Sequence, residues 1–342
     1  MTLSLISIGL HDERDLSLRG IKEARECDVL YAELYTTRLS SCIESLSRVT
    51  GRDIEPLSRR GLEEESDKLL EEAEEGHIGI FVGGDCLSAT THISLTLEAK
   101  RRGIDARIIH GSSIFTAIAE TGLSIYKFGG TVTLPLPDRG PVDSVTRVIR
   151  ENREWGLHTL ILLDLDIESE RYLTIPEGLD RLLESGDLPP DTLAVGVARL
   201  GSSDPVIKAN SANLLRLHDF GDPPHALVVP GRLHFLEAEA LEVIASCPEE
   251  VIEGHEPMGE LDRLITKYTK GCIRVIKEME RRQAPYRIDE GQVDALIDHV
   301  ERYIEDAEYY TPDRKPVALT SISYAEGILD ALKLMKMVEF EW

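Results

Sequence analysis

The sequence predicts an α/β protein of two lobes with an α-helical bundle appended at its C-terminal end. Three observations carry that expectation. Short apolar runs alternate with helix-like segments up to about residue 125. Past residue 129, strand-like runs dominate and helices become sparse. From residue 257 onward, three amphipathic stripes of helical period follow one another.

Leu3 to Ile8 reads as the first strand, and residues 15–28 as a helix with Leu18, Ile21 and Ala24 on one face. Asp15 or Ser17 can cap that helix. Residues 29–34 give a second strand, and 62–76 a charged helix that stops at Gly76. A third strand at 77–84, a helix at 88–103 closed by Gly103, and a fourth strand at 105–111 follow. This alternation predicts a parallel sheet with helices on its faces. In the second lobe, strands are expected at 131–137, 158–167, 191–201 and 224–234, with helices at 144–156 and 176–185, giving a mixed sheet.

The bundle is expected from three stripes. Residues 257–283 align Leu261, Leu264, Ile265, Tyr268, Cys272, Val275, Ile276 and Met279. Residues 289–310 align Val293, Leu296, Ile297, Val300, Ile304 and Ala307, and residues 316–337 align Ala318, Ile322, Ala325, Leu329 and Leu332. Pro285 and the Pro312–Pro316 segment separate them. Three domains are therefore expected, at 1–128, 129–256 and 257–342.

Charge and cysteine content narrow the function. With 62 acidic against 38 basic residues, the net charge of −24 argues against sequence-independent nucleic-acid binding. The five cysteines are scattered, with no C-x-x-C pair, which fits neither a disulfide framework nor a zinc site and suits a reducing cytoplasm. The first residues lack a signal-peptide layout, and no apolar run approaches the roughly 20 residues of a membrane span. No membrane partner, no direct nucleic acid and no metal are expected.

The informative chemistry lies where strands run into helices. Ligands of open α/β sheets bind beyond the carboxyl ends of strands. "SIGLHDERD" brings a strand to Gly9, "FVGGDCLSATTH" ends another in Gly83-Gly84-Asp85, and "IIHGSSIFTAI" repeats the pattern with Ser112 and Ser113. Asp85 can accept from a ligand hydroxyl or ammonium, or cap the helix behind it. The dinucleotide fingerprint and the G-x-x-x-x-G-K-[ST] phosphate loop are both absent, as are H-E-x-x-H and G-x-S-x-G. His110, His158, His225 and His234 stand at strand ends, where a lone histidine is most often a hydrogen-bonded boundary residue.

Taken together and in order, "IGLHDERDLSLRG", "DVLYAELYT", "GGDCLSATTH", "IIHGSSI", "TGLSIYKFG", "VARLGSSDPVIKA" and "FGDPPHALVVPGRLHFLEAEAL" resemble the diphthine synthase family over roughly residues 1–256. "TGLSIYKFG" and "FGDPPHALVVPG" are the most specific of these stretches. The resemblance implies a two-lobed tetrapyrrole methylase-like (class III methyltransferase) fold that binds S-adenosyl-L-methionine between its lobes and releases S-adenosyl-L-homocysteine. It implies cofactor contacts from Leu10, Asp85, Ser88, Ser113, Ile114, Leu163, Leu200 and His225. It also implies an acceptor: the amino group of a modified histidine on translation elongation factor 2, methylated repeatedly to a trimethylammonium before amidation to diphthamide. A homodimer is implied as well. No catalytic residue is assigned, because a sulfonium methyl is already activated and alignment does most of the work.

Two positions depart from the family pattern. Cys86 stands where the family reads proline after Gly-Asp, which implies a less rigid turn, and Ser7 stands where the family has glycine two residues before Gly9. The tail from about 257 lies outside the resemblance and is similar to a small archaeal helical domain of unknown function. Two other readings stay open: methylation of a small tetrapyrrole such as a cobalamin precursor, and a non-catalytic S-adenosylmethionine-binding scaffold.

Overall fold

In the computed structural model of the 342-residue chain, every residue is described except 36–37, 64, 168, 256–259, 282–289 and 312–313. The apolar runs of the first lobe form β1 (Thr2–Ser7), β2 (Val29–Glu33), β3 (Glu55–Pro56), β4 (His77–Val82) and β5 (Asp105–Ile109). They pair in the order β3-β2-β4-β1-β5, all parallel. β1 and β4 are buried along nearly their whole length, as strands covered on both faces must be. One face packs Leu69, Leu70, Ala73, Leu95 and Ala99 from the helices Ser66–Glu75 and His92–Arg101. The other packs Ala24 and Leu46 from Leu18–Glu26 and Ile43–Thr50.

The second lobe holds β6 (Val132–Leu134), β7 (Thr159–Leu163), a two-stranded ribbon of β8 (Leu165–Asp166) with β9 (Arg171–Tyr172), then β10 (Leu193–Ala198), β11 (Val206–Ser211) and β12 (His225–Val229). Its main sheet runs β11-β10-β12-β7-β6. Only β6–β7 is parallel in it, so the sheet is mixed, as expected. The helix Ile175–Glu184 starts in a capping box, with Thr174 and Glu177 bonding reciprocally.

Several elements differ from the sequence expectation for local reasons. The helix expected at 88–103 starts only at His92. Ahead of it the chain turns, because Leu87 N donates to Asp85 Oδ1 at 3.0 Å and Thr90 Oγ1 donates to Cys86 O at 2.8 Å. Short polar side chains outcompete the helix there. The helix expected at 62–76 runs as two, Arg59–Glu63 and Ser66–Glu75. The strand expected at 158–167 breaks at Asp164, whose N–H donates to Leu134 O and whose carboxylate accepts from Leu136 N. Ser17, not Asp15, caps the first helix, accepting from Gly20 N at 2.9 Å.

The chain divides into two compact units, Met1–Arg153 with Leu157–Glu256, and Pro257–Trp342 with Glu154–Gly156. The second unit contains the helices Glu260–Glu278, Glu290–Tyr310 and Lys315–Leu334, and a short ribbon of β13 (Glu280–Arg281) with β14 (Val338–Glu339). Its interior is built from Cys272, Val275, Val300, Ala307, Ile322, Ala325, Leu329 and Leu332, together with Met337 and Phe340 from beyond the last helix. Pro285, Pro312, residues 257–259 and 282–283, and residue 289 of the expected pattern lie outside the described residues, as does the side chain of Leu261.

Candidate functional site

The carboxyl ends of the two large sheets line a common cavity of about 410 Å³. That size falls within the few hundred to about 1,000 Å³ usual for small-molecule sites. Leu10, Asp85, Ser88, Ser113, Ile114, Leu163, Leu200 and His225 all line it. The residues singled out in the sequence thus meet in one place, although they come from six separate turns and strand ends.

Gly9 and Gly84 do not lie open. Gly9 N donates to Gly84 O at 3.1 Å and Gly84 N donates to Gly9 O at 2.8 Å, an antiparallel bridge between the ends of two parallel strands. Gly9 has φ +107°, and a Cβ there would lie 2.5 Å from Asp15 Cβ, so both conformation and space demand glycine. Leu10, the next residue, lies against Gly201 of the second lobe: a Cβ on Gly201 would fall 2.9 Å from Leu10 Cβ.

Asp85 is 8% exposed and latches two strand ends. Oδ1 accepts from Leu87 N at 3.0 Å and from Ser88 Oγ at 3.3 Å. Oδ2 pairs with His110 Nδ1 at 2.8 Å and accepts from Gly111 N at 3.2 Å. Burial opposes its ionisation, but the Leu87, His110 and Gly111 hydrogen bonds outweigh burial and hold its carboxyl below the usual range. It does not cap the helix His92–Arg101, whose N-cap is Thr91. Ser113 is the residue in cap position, ahead of the helix Ile114–Ala117, and its own N–H donates to Thr116 Oγ1 at 3.3 Å.

Ser7 and Cys86, the two positions read from the sequence as departures from the resemblance, meet in space. Cys86 N donates to Ser7 Oγ at 3.0 Å, and Cys86 is fully buried. A proline at 86 would bring no N–H, so it would need no acceptor at position 7. Ser7→Ala strands that buried N–H, and we expect it to cost about 1–3 kcal/mol of stability in urea unfolding. The double replacement Ser7→Gly with Cys86→Pro should regain most of the loss; additive losses from the two positions would disprove the coupling.

On the second-lobe side, His225 Nδ1 accepts from Ile175 N at 3.4 Å. Burial pushes the ring's pKa down, and the Arg199 cation adds to this. The neutral ring therefore carries its hydrogen on Nε2. That atom is buried and without a hydrogen-bond partner among the described residues. Arg199 braces the loop in front of the histidine. Its Nη1 donates to Phe220 O at 2.8 Å and to Asp222 O at 2.5 Å, and its Nε to Asp204 Oδ2 at 3.2 Å.

Sequence reasoning missed Tyr35, Arg59, Thr133, Asp164 and Arg199, which also line the cavity. Tyr35 and Asp164 follow the carboxyl ends of β2 and β7, so the strand-end rule could have found them. Arg59 opens the short helix Arg59–Glu63, which only the fold brings to the site. His158 and His234 are boundary residues: His158 Nδ1 accepts from Gly231 N, and His234 Nδ1 accepts from Leu236 N at the start of the helix Phe235–Val243.

A parallel first sheet, a mixed second sheet and a cavity across their carboxyl ends define a methylase of the tetrapyrrole class. The family model for Tetrapyrrole (Corrin/Porphyrin) Methylases matches residues 2–214. Within that class, the chain belongs to the diphthine synthase family of methyltransferases. It is 40% identical over 267 residues to a diphthine synthase of Methanosarcina acetivorans, covering 74% of this chain and 100% of that one. It is 42% identical over 261 residues to a diphthine synthase of Methanothermobacter thermautotrophicus, covering 73% of this chain and 98% of the relative. A crystal structure of diphthine synthase superposes with a TM-score of 0.70 at 38% identity, over 74% of this chain and 99% of that chain. Residues 267–338 match a second family, a protein of unknown function (DUF357).

Proposed function

We propose that the chain binds S-adenosyl-L-methionine in the cavity and methylates the amino group of the modified histidine of elongation factor 2, releasing S-adenosyl-L-homocysteine. The observation that carries this reading is the convergence of all eight resemblance-implied residues on one cavity, in a chain aligned with diphthine synthases over their full length. That full-length similarity favours it over a small tetrapyrrole acceptor or a non-catalytic scaffold.

The residues present suit the cofactor. Leu10, Ile114, Leu163 and Leu200 offer apolar surface for an adenine ring and a methionine stem, and the Nε2 donor of His225 lacks a protein acceptor. Asp85 and Ser88 supply polar contacts for the ribose or amino-acid part. When bound, the cofactor supplies a methyl group activated by its sulfonium. The chain's own task is to hold the acceptor nitrogen in line and exclude water. That nitrogen is nucleophilic only when neutral, so it loses a proton before each transfer.

A homodimer and a cytoplasmic setting carry over from the resemblance; Cys27, Cys86, Cys247 and Cys272 are free and buried, which suits a reducing compartment. Among the described residues no helix is long and apolar enough to cross a membrane. The division at 1–128, 129–256 and 257–342 is supported by the two separate sheets and the helical interior.

The test is incubation of the full chain with methyl-labelled cofactor and precursor-bearing elongation factor 2, then mass mapping. Label on the modified histidine is the expected outcome. Label absent there, but present on a porphyrinoid, would replace this reading with the tetrapyrrole one.

A further inference from the structure

In the first lobe the Asp85 carboxylate joins two of the turns that line the cavity. The second lobe joins its Leu200 and His225 turns with a cation, Arg199, the residue after β10. Nη1 donates to Phe220 O and Asp222 O, ahead of His225. Nε and Nη2 donate to Asp204 Oδ2 and Asp204 O, just past Leu200. The backbone N–H of Arg199 donates to Pro224 O at 3.0 Å, one residue before the histidine.

The backbone is shaped for this grip. Arg199 has φ +52°, a left-handed conformation that residues with a side chain rarely adopt. Glycine would adopt it more easily, but would leave Phe220 O, Asp222 O and Asp204 without their donor. Gly221 lets the loop close on the guanidinium, since a Cβ there would lie 3.3 Å from Nη1.

The grip reaches the histidine through Phe220. That ring is buried and wedges against Gly196 of β10, where a Cβ would fall 2.4 Å from its Cζ. It meets the His225 ring edge-on, with 6.0 Å between centroids. Ile175 N reaches His225 Nδ1 only at 3.4 Å, too long a bond to fix the ring by itself. Burial and the Arg199 cation keep the ring neutral against the pull of the Gly221 and Asp222 carbonyls and of Asp219.

We infer that Arg199 is a positioning residue for the cofactor: it ties the Phe220–Pro224 loop to the Leu200 turn and so holds the His225 ring in the cavity wall. This rests on the reading that S-adenosylmethionine occupies the cavity, and adds to it a residue that acts through His225.

The experiment uses the full chain, first without cofactor. Nitrogen NMR of the imidazoles at about pH 8, where the ring is neutral, should show His225 as one tautomer with its hydrogen on Nε2. Loss of that signal in His225→Leu assigns it. In Arg199→Met the two ring-nitrogen shifts should move toward each other, because a loosened ring samples both tautomers. Arg199→Lys keeps a single donor point and should lie between. With cofactor, Arg199→Met should weaken equilibrium S-adenosylmethionine binding about tenfold. In a His225→Leu background the same replacement should change affinity less than about twofold, because its route is already gone. Thermal unfolding sets a temperature at which every variant is folded; if Arg199→Met does not fold, Arg199→Lys takes its place in both comparisons. Unchanged ring-nitrogen shifts, unchanged affinity, or a tenfold loss that repeats in full without His225 overturns the inference. If wild type binds no S-adenosylmethionine, the cofactor reading falls, while the imidazole spectra still decide whether Arg199 holds the ring.

Discussion

Replacing Asp85 by alanine should weaken S-adenosylmethionine binding by roughly 100-fold or more, and kcat/KM with it. The carboxylate joins two turns: Leu87 N and Ser88 on one oxygen, His110 and Gly111 N on the other. Alanine leaves two backbone N–H groups without their acceptor and frees the His110 turn from the Gly84 turn, so the cavity wall loses its shape as well as its charge. Asparagine keeps one acceptor oxygen and must point an amide N–H at the other turn, so it should lose about tenfold. Equilibrium cofactor binding to the two variants checks this. Alanine and asparagine behaving alike near wild-type affinity would mean the latch does not shape the site. The depressed carboxyl pKa fixes the pH sense. The charged latch is complete above its ordinary value of 3.8 and opens only as pH falls through the lower folded value.

A second large effect is expected at Glu237, in stability rather than binding. This carboxylate is 2% exposed. It accepts from Ser124 N at 2.9 Å and His234 N at 2.8 Å, meets His158 Nε2 at 3.2 Å, and is paired with Lys127. It thereby ties "TGLSIYKFG" to "PGRLHFLEAEAL". Burial opposes its charge, but the His234, Lys127 and Ser124 contacts win and take its carboxyl from 4.5 to about 2. A shift of that size corresponds to about 3 kcal/mol of stability. Because the folded value is the lower one, that stability is complete above pH 4.5 and is lost as pH falls toward 2. Glu237→Gln should therefore lower unfolding free energy at pH 7 by about 3 kcal/mol. Its stability should also fall less steeply than that of wild type between pH 4.5 and 3. Urea unfolding at several pH values reads both, and parallel pH profiles would show that Glu237 is not the group responsible.

Much of the fold was legible because burial imposes a plain code. Strands with both faces covered, such as β4 and β10, read as unbroken apolar runs. The helix Asp143–Glu154 and the helices of the second unit read through their stripes. What escaped were elements defined by partners rather than by their own residues. β3 is two exposed residues beside β2, and β11 is a polar edge strand whose only main-sheet neighbour is β10. The helix Phe235–Val243 follows directly on a strand signal that hid its start. The cavity shows the same division. The family resemblance implied eight lining residues, while Arg59 and Thr133 stand where only the pairing order of the sheets brings them.

The Gly9–Gly84 bridge has a consequence for competing metabolites. In phosphate-binding α/β proteins, glycine-rich turns at this place present bare amides to the anion. Here the two amides are spent on each other's carbonyls, and the carboxylates of Asp85 and Asp164 stand nearby. Adenosine triphosphate shares its adenosine with the sulfonium cofactor and is abundant in any cell. Its triphosphate would not find these two amides on offer, so the bridge that closes the turn also removes the contact by which such turns hold the commonest adenosine bearer.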